Sequence, residues 1–447
     1  MPEGQQPPGS GQDIKKMYRA IEGDHFPSRM RIILDMPDGS DAQELIYEKI
    51  GWEIGGEMKG LRYGENPGQE AAGYRLLNGN LVLGGVQSIK PGQWLASNVT
   101  LLQSGKHPGK TNITDADNAL NILRYLTEKP SVVIVKHNNP CGVAQAGSLA
   151  EAYVKADLAD RIAAFGGAIA LNRECDIETA KEIARRYAEV VVAPGYQDGV
   201  MDILSQKKDL RIMEIKNMAR LQEFVGQRYL EFKSLIDGGQ IVQWSFVPKL
   251  AIDPSSWVSA KTIYKGKEYN MKRQPTQAEL DDLIFGWLVE AGVSSNSVLY
   301  VKDGVTVSIG TGGQDRVGIA ESARDKAYRN LMDRMVFEEK GISFNGLCER
   351  IEDEMSARGV MTAELKDMRD YKRSVEEKAR SMSGGLKGTG MVSDAFFPFK
   401  DGILVGLREG VTAVIQPGGS DRDYEVIEAA NKYDAAMIFT GQRSFKH

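Results

Sequence analysis

The chain has 447 residues, 42 % hydrophobic and 26 % charged, a composition that excludes a mostly disordered protein and leaves room for two or three domains. Lysine and arginine number 56 against 61 acidic residues, a net charge of −5, so no global field favours nucleic acid or an anionic membrane, and any basic site has to be local. Three cysteines (Cys141, Cys175, Cys348) form no CxxC pair and no even-numbered framework, which suits a reducing cytoplasm and speaks against a cysteine-rich zinc site.

Residues 1–13 are rich in Pro, Gly, Gln and Ser and read as a disordered tail without the basic and apolar regions of a signal peptide. No apolar run approaches the ~20 residues that span a bilayer, so a soluble, cytoplasmic protein is expected. Residues 14–60 read as an arm, with one helix over residues 41–50, and residues 1–60 are set apart as tail and arm. From Leu61 the texture becomes α/β. A helix over residues 115–126 precedes SVVIV at 131–135, a continuous apolar run of buried-strand type that ends in the polar loop KHNNPCG. A helix over 149–164, a strand at 168–171, a helix over 177–187 and a strand at 190–193 follow, and this alternation predicts a sheet with helices on both faces.

A second α/β stretch begins near Gln277 with an amphipathic helix. It continues through β-rich runs at 297–302 and 306–309, joined by the hairpin signal Asp303-Gly304. Residues 321–380 read as charged helical hairpins, and the strand pattern resumes at 412–415. The AFGG…VVVAPGY and DAFF…AVIQPGGS segments echo each other, which suggests a duplicated α/β unit with strand-end loops facing a cleft.

Within KHNNPCG, Lys136 precedes His137, and an adjacent ammonium favours a neutral imidazole able to take a proton near pH 7. A capped polar turn is the bland alternative. Pro140-Cys141 is half of the nucleobase deaminase signature, but Ala144 stands where a second Cys is needed and Asn139 where Glu is, so a catalytic zinc is not expected. RYGEN at 62–66 joins Arg62 and Tyr63 to turn residues suited to an anion, or to an ordinary surface turn. GKHPGKT (105–111) fails the Walker spacing, and SIGTGGQDR (308–316) fails the dinucleotide spacing, although a Gly-rich loop ending in Arg can cradle an anion. SDAFFPFKDG (393–402) sets three Phe between Asp394 and Asp401 and suits a flat heteroaromatic ligand, while QRSFKH reads by default as a frayed basic tail.

In this order LRYGENPGQEAAGY, VKHNNPCGVA, AFGGAIALN, VVVAPGY, SNSVLYVKDG, the loop ending in Arg316, SDAFFPFKDG and RSFKH resemble the AICAR transformylase family over residues 61–447. The resemblance implies an α/β fold of two cytidine-deaminase-like three-layer αβα units without zinc. These units occupy 61–250 and 251–447, the second with a helical insertion at about 321–385. It implies transfer of a formyl group from the co-substrate 10-formyltetrahydrofolate to the 5-amino group of AICAR in IMP synthesis, by a homodimer with active sites at the interface. His137 is then the proton acceptor and Lys136 the transition-state stabiliser. AICAR contacts fall on Arg62, Tyr63, His137, Gly166, Glu189, Asn296, Arg316, Phe396 and Arg443. Folate contacts fall on Val317, Asp401, Ser420 and Asp421. Gly68 departs from the His or Gln that ends the family's RYGENP motif. No IMP cyclohydrolase half precedes Arg62, so a stand-alone transformylase with a separate cyclohydrolase is expected, with no metal, nucleic acid or membrane. A zinc-dependent deaminase-like hydrolase and a non-catalytic purine ribotide sensor are the rival readings.

Overall fold

The computed structural model describes residues 25–66, 69–79, 81–83, 86–87, 92–358 and 361–447. The expected disordered tail and the departure at Gly68 lie outside the described residues. Three antiparallel strands come first, β1 (Arg29–Leu34), β2 (Gln43–Lys49) and β3 (Tyr74–Leu76), with β2 in the middle. The helix expected over residues 41–50 is therefore a strand. Its backbone pairs on both edges, Leu45 opposite Ile32 and Tyr47 opposite Leu76, and that pairing overrides the helical preference of Glu44, Glu48 and Lys49.

After β4 (Thr100–Gln103), one succession of elements occurs twice along the chain. Helix α1 (Lys110–Leu123) leads into the hairpin β5 (Ser131–Lys136) and β6 (Asn139–Gln145), followed by α2 (Leu149–Ala159). Then come β7 (Ala168–Leu171), α3 (Ile177–Ala184), β8 (Val190–Ala193), α4 (Val200–Leu204) and β9 (Arg211–Glu214). After β10 (Val258–Ser259), α5 (Gln277–Glu290) leads into the hairpin β11 (Val298–Lys302) and β12 (Val305–Gly310). Helices α6 (Arg316–Lys340), α7 (Phe344–Arg358) and α8 (Ala363–Ser381) come next. The chain finishes with β13 (Gly390–Ser393), α9 (Lys400–Arg408), β14 (Ala413–Gln416), α10 (Asp423–Lys432) and β15 (Ala436–Phe439). The echo in the sequence thus corresponds to a repeated order of helix, hairpin, helix and βαβαβ in a mixed α/β protein.

The chain divides into two compact units. The first runs to Leu120 and includes Ala168–Ser245. Its β7, β8 and β9 are parallel neighbours, β4 pairs antiparallel with β9, and all of β7 and β8 is buried. The second unit comprises Asn121–Gly167 and Phe246–His447. Its strands lie in the order β10-β15-β14-β13-β11-β12-β6-β5, parallel from β13 to β15 and antiparallel elsewhere.

Local chemistry explains the boundaries. Thr276 and Glu279 form a reciprocal capping box at the start of α5. Asp315 caps α6 by accepting from the Gly318 nitrogen at 2.7 Å, and Gly341, at φ 68°, ends it. Helices α6 to α8 enclose a small core of Val336, Phe344, Leu347 and Val375, at the place where helical hairpins are expected from the charge pattern over residues 321–380.

Three expectations shift. The helix over 149–164 breaks at Asp160, whose carboxylate caps a separate turn, Arg161–Ala164, through the Ala163 nitrogen. Helix α1 begins at Lys110, a turn and more before Asp115. KHNNPCG is no loop either: only His137 and Asn138 turn, and Pro140 and Cys141 are buried in β6, where the register shifts between Pro140 and Gly142.

Candidate functional site

In the second unit the β5–β6 turn has two central residues, His137 and Asn138, with φ 54° and 60°. Both lie in the left-handed region, the mark of a type I′ hairpin turn, here without glycine. Lys136 closes the turn opposite Asn139, and its Nζ donates to the Phe165 carbonyl at 2.8 Å, beside Gly166. His137 is exposed at the tip. Asn139 anchors the whole: its Oδ1 accepts from the Ser294 nitrogen and from Thr311 Oγ1, each at 2.9 Å. The segment after Ser294 carries Asn296, whose backbone forms a reciprocal pair of 3.1 Å bonds with Gly313, and whose Nδ2 donates to the Gly313 carbonyl at 3.0 Å. The failed dinucleotide loop therefore shapes the Asn296 segment and caps α6.

Arg316, at the head of α6, is buried rather than displayed. Its Nη1 donates to the Ser297 carbonyl (2.9 Å), to Ser393 Oγ (3.0 Å) and to the Asp394 carboxylate, and its Nη2 donates to Asn296 Oδ1 at 2.7 Å. Asp394 is wholly buried and faces Arg316. The three rings beside it divide. Phe397 is core, while Phe396 and Phe399 are exposed, the latter beneath the Arg422 guanidinium at 4.9 Å.

Phe396, Pro417, Gly418, Gly419, Gly441 and Arg443 line a cleft of about 410 Å³. Gly418, at φ 72°, sits where a Cβ would meet the Phe439 ring at 2.5 Å, so no side chain can roof this floor. The Gly419 nitrogen donates to Asp423 at 2.8 Å, and burial pushes the Asp423 carboxyl up against that bond. Ser420, with Asp421 exposed beside it, follows directly. Val317 and Asp401 lie in the first turns of α6 and α9, with Arg316 Cγ 3.6 Å from where a Cβ on Gly402 would sit. The terminal segment is not frayed. The Ser444 nitrogen donates to the Asp394 carbonyl at 2.9 Å, and Lys446 Nζ reaches the Gly292 carbonyl (3.2 Å) and the Asn138 carbonyl (3.5 Å).

The first unit holds Arg62, Tyr63 and Glu189. Arg62 and Tyr63 are both buried, and Arg62 Nη2 donates to the Tyr63 hydroxyl at 2.9 Å. GKHPGKT, which fails the Walker spacing, straps them to Glu189. The Arg62 nitrogen donates to the Pro108 carbonyl (3.0 Å) and the Lys110 nitrogen to the Tyr63 carbonyl (3.1 Å). Asn112, in the first turn of α1, accepts from the Gly109 nitrogen and donates to Glu189 Oε2, each at 3.0 Å. Arg211 opens β9 fully buried, with Nη1 3.5 Å from Glu189 Oε2 and Nη2 donating to the Lys106 carbonyl. Burial lowers the Arg211 pKa, opposed by the Glu189 charge. Sequence reading missed Asn112, Asn139, Arg211 and Ser295; only Asn139, within the KHNN motif, carried a local signal.

Among the described residues no three His, Cys, Asp or Glu are placed to hold a metal ion, and no helix is long and apolar enough to cross a membrane. A family model described as AICARFT/IMPCHase bienzyme matches residues 38–326. The bifunctional purine biosynthesis protein PurH of Chlorobaculum parvum is 38 % identical over 389 residues, covering 87 % of this chain and 59 % of the relative. Its counterpart from Chlorobium phaeobacteroides is 36 % identical, covering 87 % and 58 %, and that from Caldicellulosiruptor saccharolyticus is 33 % identical, covering 87 % and 59 %. The chain thus spans a little under three fifths of the length of the curated relatives it matches. It belongs to the AICARFT/IMPCHase bienzyme family.

Proposed function

We propose that this chain transfers a formyl group from 10-formyltetrahydrofolate to the 5-amino group of AICAR, giving formyl-AICAR. The observation that carries the reading is the Lys136–His137 pair on a turn held in the left-handed region and fastened through Asn139 to the Asn296 segment. Strain that the surroundings impose on non-glycine residues of this kind clusters at functional sites.

The folate supplies the electrophilic formyl carbon. The amine of AICAR is a poor nucleophile because its lone pair is delocalised into the imidazole, so positioning is the first requirement and can supply several kcal/mol. His137 accepts the amine proton, a role typically worth ~10²–10⁴ in rate. The Lys136 ammonium holds the charge that develops on the formyl oxygen, and as the bond from the formyl carbon to the folate nitrogen breaks it helps to protonate that nitrogen, which releases tetrahydrofolate. Arg62 and Arg443 are assigned to the ribotide phosphate, Glu189 to ribose hydroxyls, Asn296 to the carboxamide or formyl oxygen and Phe396 to the imidazole face. Tyr63, Gly166 and Arg316 complete the AICAR contacts, with Arg316 acting partly through Asn296. Val317, Asp401, Ser420 and Asp421 are assigned to folate, and the glycine-floored cleft beside Ser420 has room for a flat heteroaromatic ring. None of these roles requires a metal.

The repeated order of helix, hairpin, helix and βαβαβ supports reading the fold as two deaminase-like three-layer units. A cytoplasmic homodimer with sites at its interface, and a separate IMP cyclohydrolase activity, belong to the same proposal. The test is tetrahydrofolate formation from AICAR and 10-formyltetrahydrofolate with identification of the product. Formyl-AICAR is expected, His137→Ala is expected to lose about 10²–10⁴ of the rate, and near-normal turnover in that variant overturns the assignment.

A further inference from the structure

We propose that Asp394 is the positioning residue of the AICAR half of the site: its buried carboxylate holds Arg316 and, through it, Asn296, while its backbone carbonyl holds the segment that carries Arg443. The inference rests on the formyltransferase reading and deepens it. One Asp394 oxygen takes the Arg316 guanidinium, and the other accepts from Ser295 Oγ at 2.5 Å. Its backbone carbonyl accepts from the Ser444 nitrogen, next to Arg443, at 2.9 Å. The far side of the Arg316 guanidinium then fixes Asn296 through Oδ1 at 2.7 Å. Ser295 also pairs with the terminal segment, its nitrogen donating to the Lys446 carbonyl at 2.9 Å. Three stretches far apart in sequence thus meet at one wholly buried residue, two at its carboxylate and one at its backbone carbonyl, and it positions a site without touching what binds there.

The charges agree with this geometry. Glu290 is also wholly buried, and its Oε1 accepts from Ser297 Oγ at 2.9 Å. Burial, reinforced by the nearby Asp394 charge, pushes the Glu290 carboxyl well up. Of the two buried carboxyls, the one paired with the Arg316 guanidinium is that of Asp394. A buried cation stripped of that partner cannot keep its place.

The test is calorimetric binding of AICAR to the full chain, with thermal unfolding to verify folding, for wild type, Asp394→Asn, Ser295→Ala and Glu290→Gln. Asp394→Asn is expected to weaken AICAR roughly ten- to a hundredfold, the scale of lost charge-assisted bonds, and Ser295→Ala roughly two- to tenfold. Glu290→Gln, which keeps an acceptor for Ser297 Oγ and leaves the Asp394–Arg316 pair intact, binds as wild type does. In turnover, KM for AICAR rises while kcat and the KM for 10-formyltetrahydrofolate hold, a split that general loss of structure does not produce. If Asp394→Asn does not fold, Ser295→Ala and Glu290→Gln decide. Folded Asp394→Asn and Ser295→Ala that bind AICAR like wild type overturn the inference alone, as does Glu290→Gln losing as much as Asp394→Asn. Wild type that binds no AICAR overturns it together with the function reading.

Discussion

Asn139 Oδ1 lies 2.9 Å from the Ser294 nitrogen, which ties the His137–Asn138 turn to the segment bearing Asn296. The same oxygen takes Thr311 Oγ1, so both acceptor sites of one amide oxygen hold loops in place. Asn139→Ala leaves the Ser294 nitrogen unpaired, while Thr311 Oγ1 keeps the Ser294 carbonyl, at a cost of about 1–3 kcal/mol measurable by urea unfolding. A reactive pair displaced by ~1 Å can lose about 10²-fold in rate, so turnover should fall further than stability explains. Asn139→Asp, which keeps the acceptors, should recover most of the stability.

Gly142 sets how closely β6 meets α2. A Cβ there would lie 1.9 Å from the Ala156 carbonyl oxygen, and backbone cannot rotate away as a side chain can. Gly142→Ala should cost at least ~1–3 kcal/mol by overpacking and lower the melting temperature, with soluble yield as a second readout.

Acid should unfold the protein in two stages. Burial lowers the His107 pKa below its ordinary 6.5, and the Gly60 carbonyl, 2.6 Å from Nε2, does not offset this; the charges of Arg62, Lys59 and Arg211 add to the lowering. The unfolded chain then takes up the proton first, so His107 costs stability as pH falls below about 6.5. Glu279 acts lower. Burial pushes its carboxyl up, but bonds from Arg273 and Thr276 and the Arg273 charge win and bring it down to about 2. Its contribution is present above 4.5 and fades as pH falls toward 2. Urea midpoints followed from pH 8 to pH 3 should show both steps, His107→Gln removing only the upper one and Glu279→Gln only the lower.

Arg211 holds the Glu189 carboxylate and the Lys106 carbonyl with one planar guanidinium. A lysine keeps the charge but cannot make both contacts. Arg211→Lys should lose about 1–3 kcal/mol and weaken AICAR more than folate; equal weakening of both would show that Arg211 supports the unit as a whole.

The strands that could be read from the sequence are those buried on both faces. SVVIV and VVVA admit no other environment, and Thr276 with Glu279 announces α5 through chemistry three residues apart. Strand β2 could not be read because what makes it a strand is pairing with residues on both sides, far along the chain from Tyr74. The turn at His137–Asn138 lacks the Asn-Gly signature that makes such hairpins legible, whereas Asp303-Gly304 has it and was legible. Residues displayed on motifs could be nominated. Asp394 and Ser295 behind them could not, because they become neighbours of Arg316 only when the sheet assembles.

The division into units has a consequence for biosynthesis. Each unit is built from two separated stretches, and the stretches alternate along the chain. The first unit is incomplete until the ribosome has passed Ser245, and β6 in residues 121–167 lacks its sheet partner β12 until Gly310 has emerged. No single cut can release either unit whole. Nascent chains stalled before β12 should therefore remain open to protease and chaperone over residues 121–167.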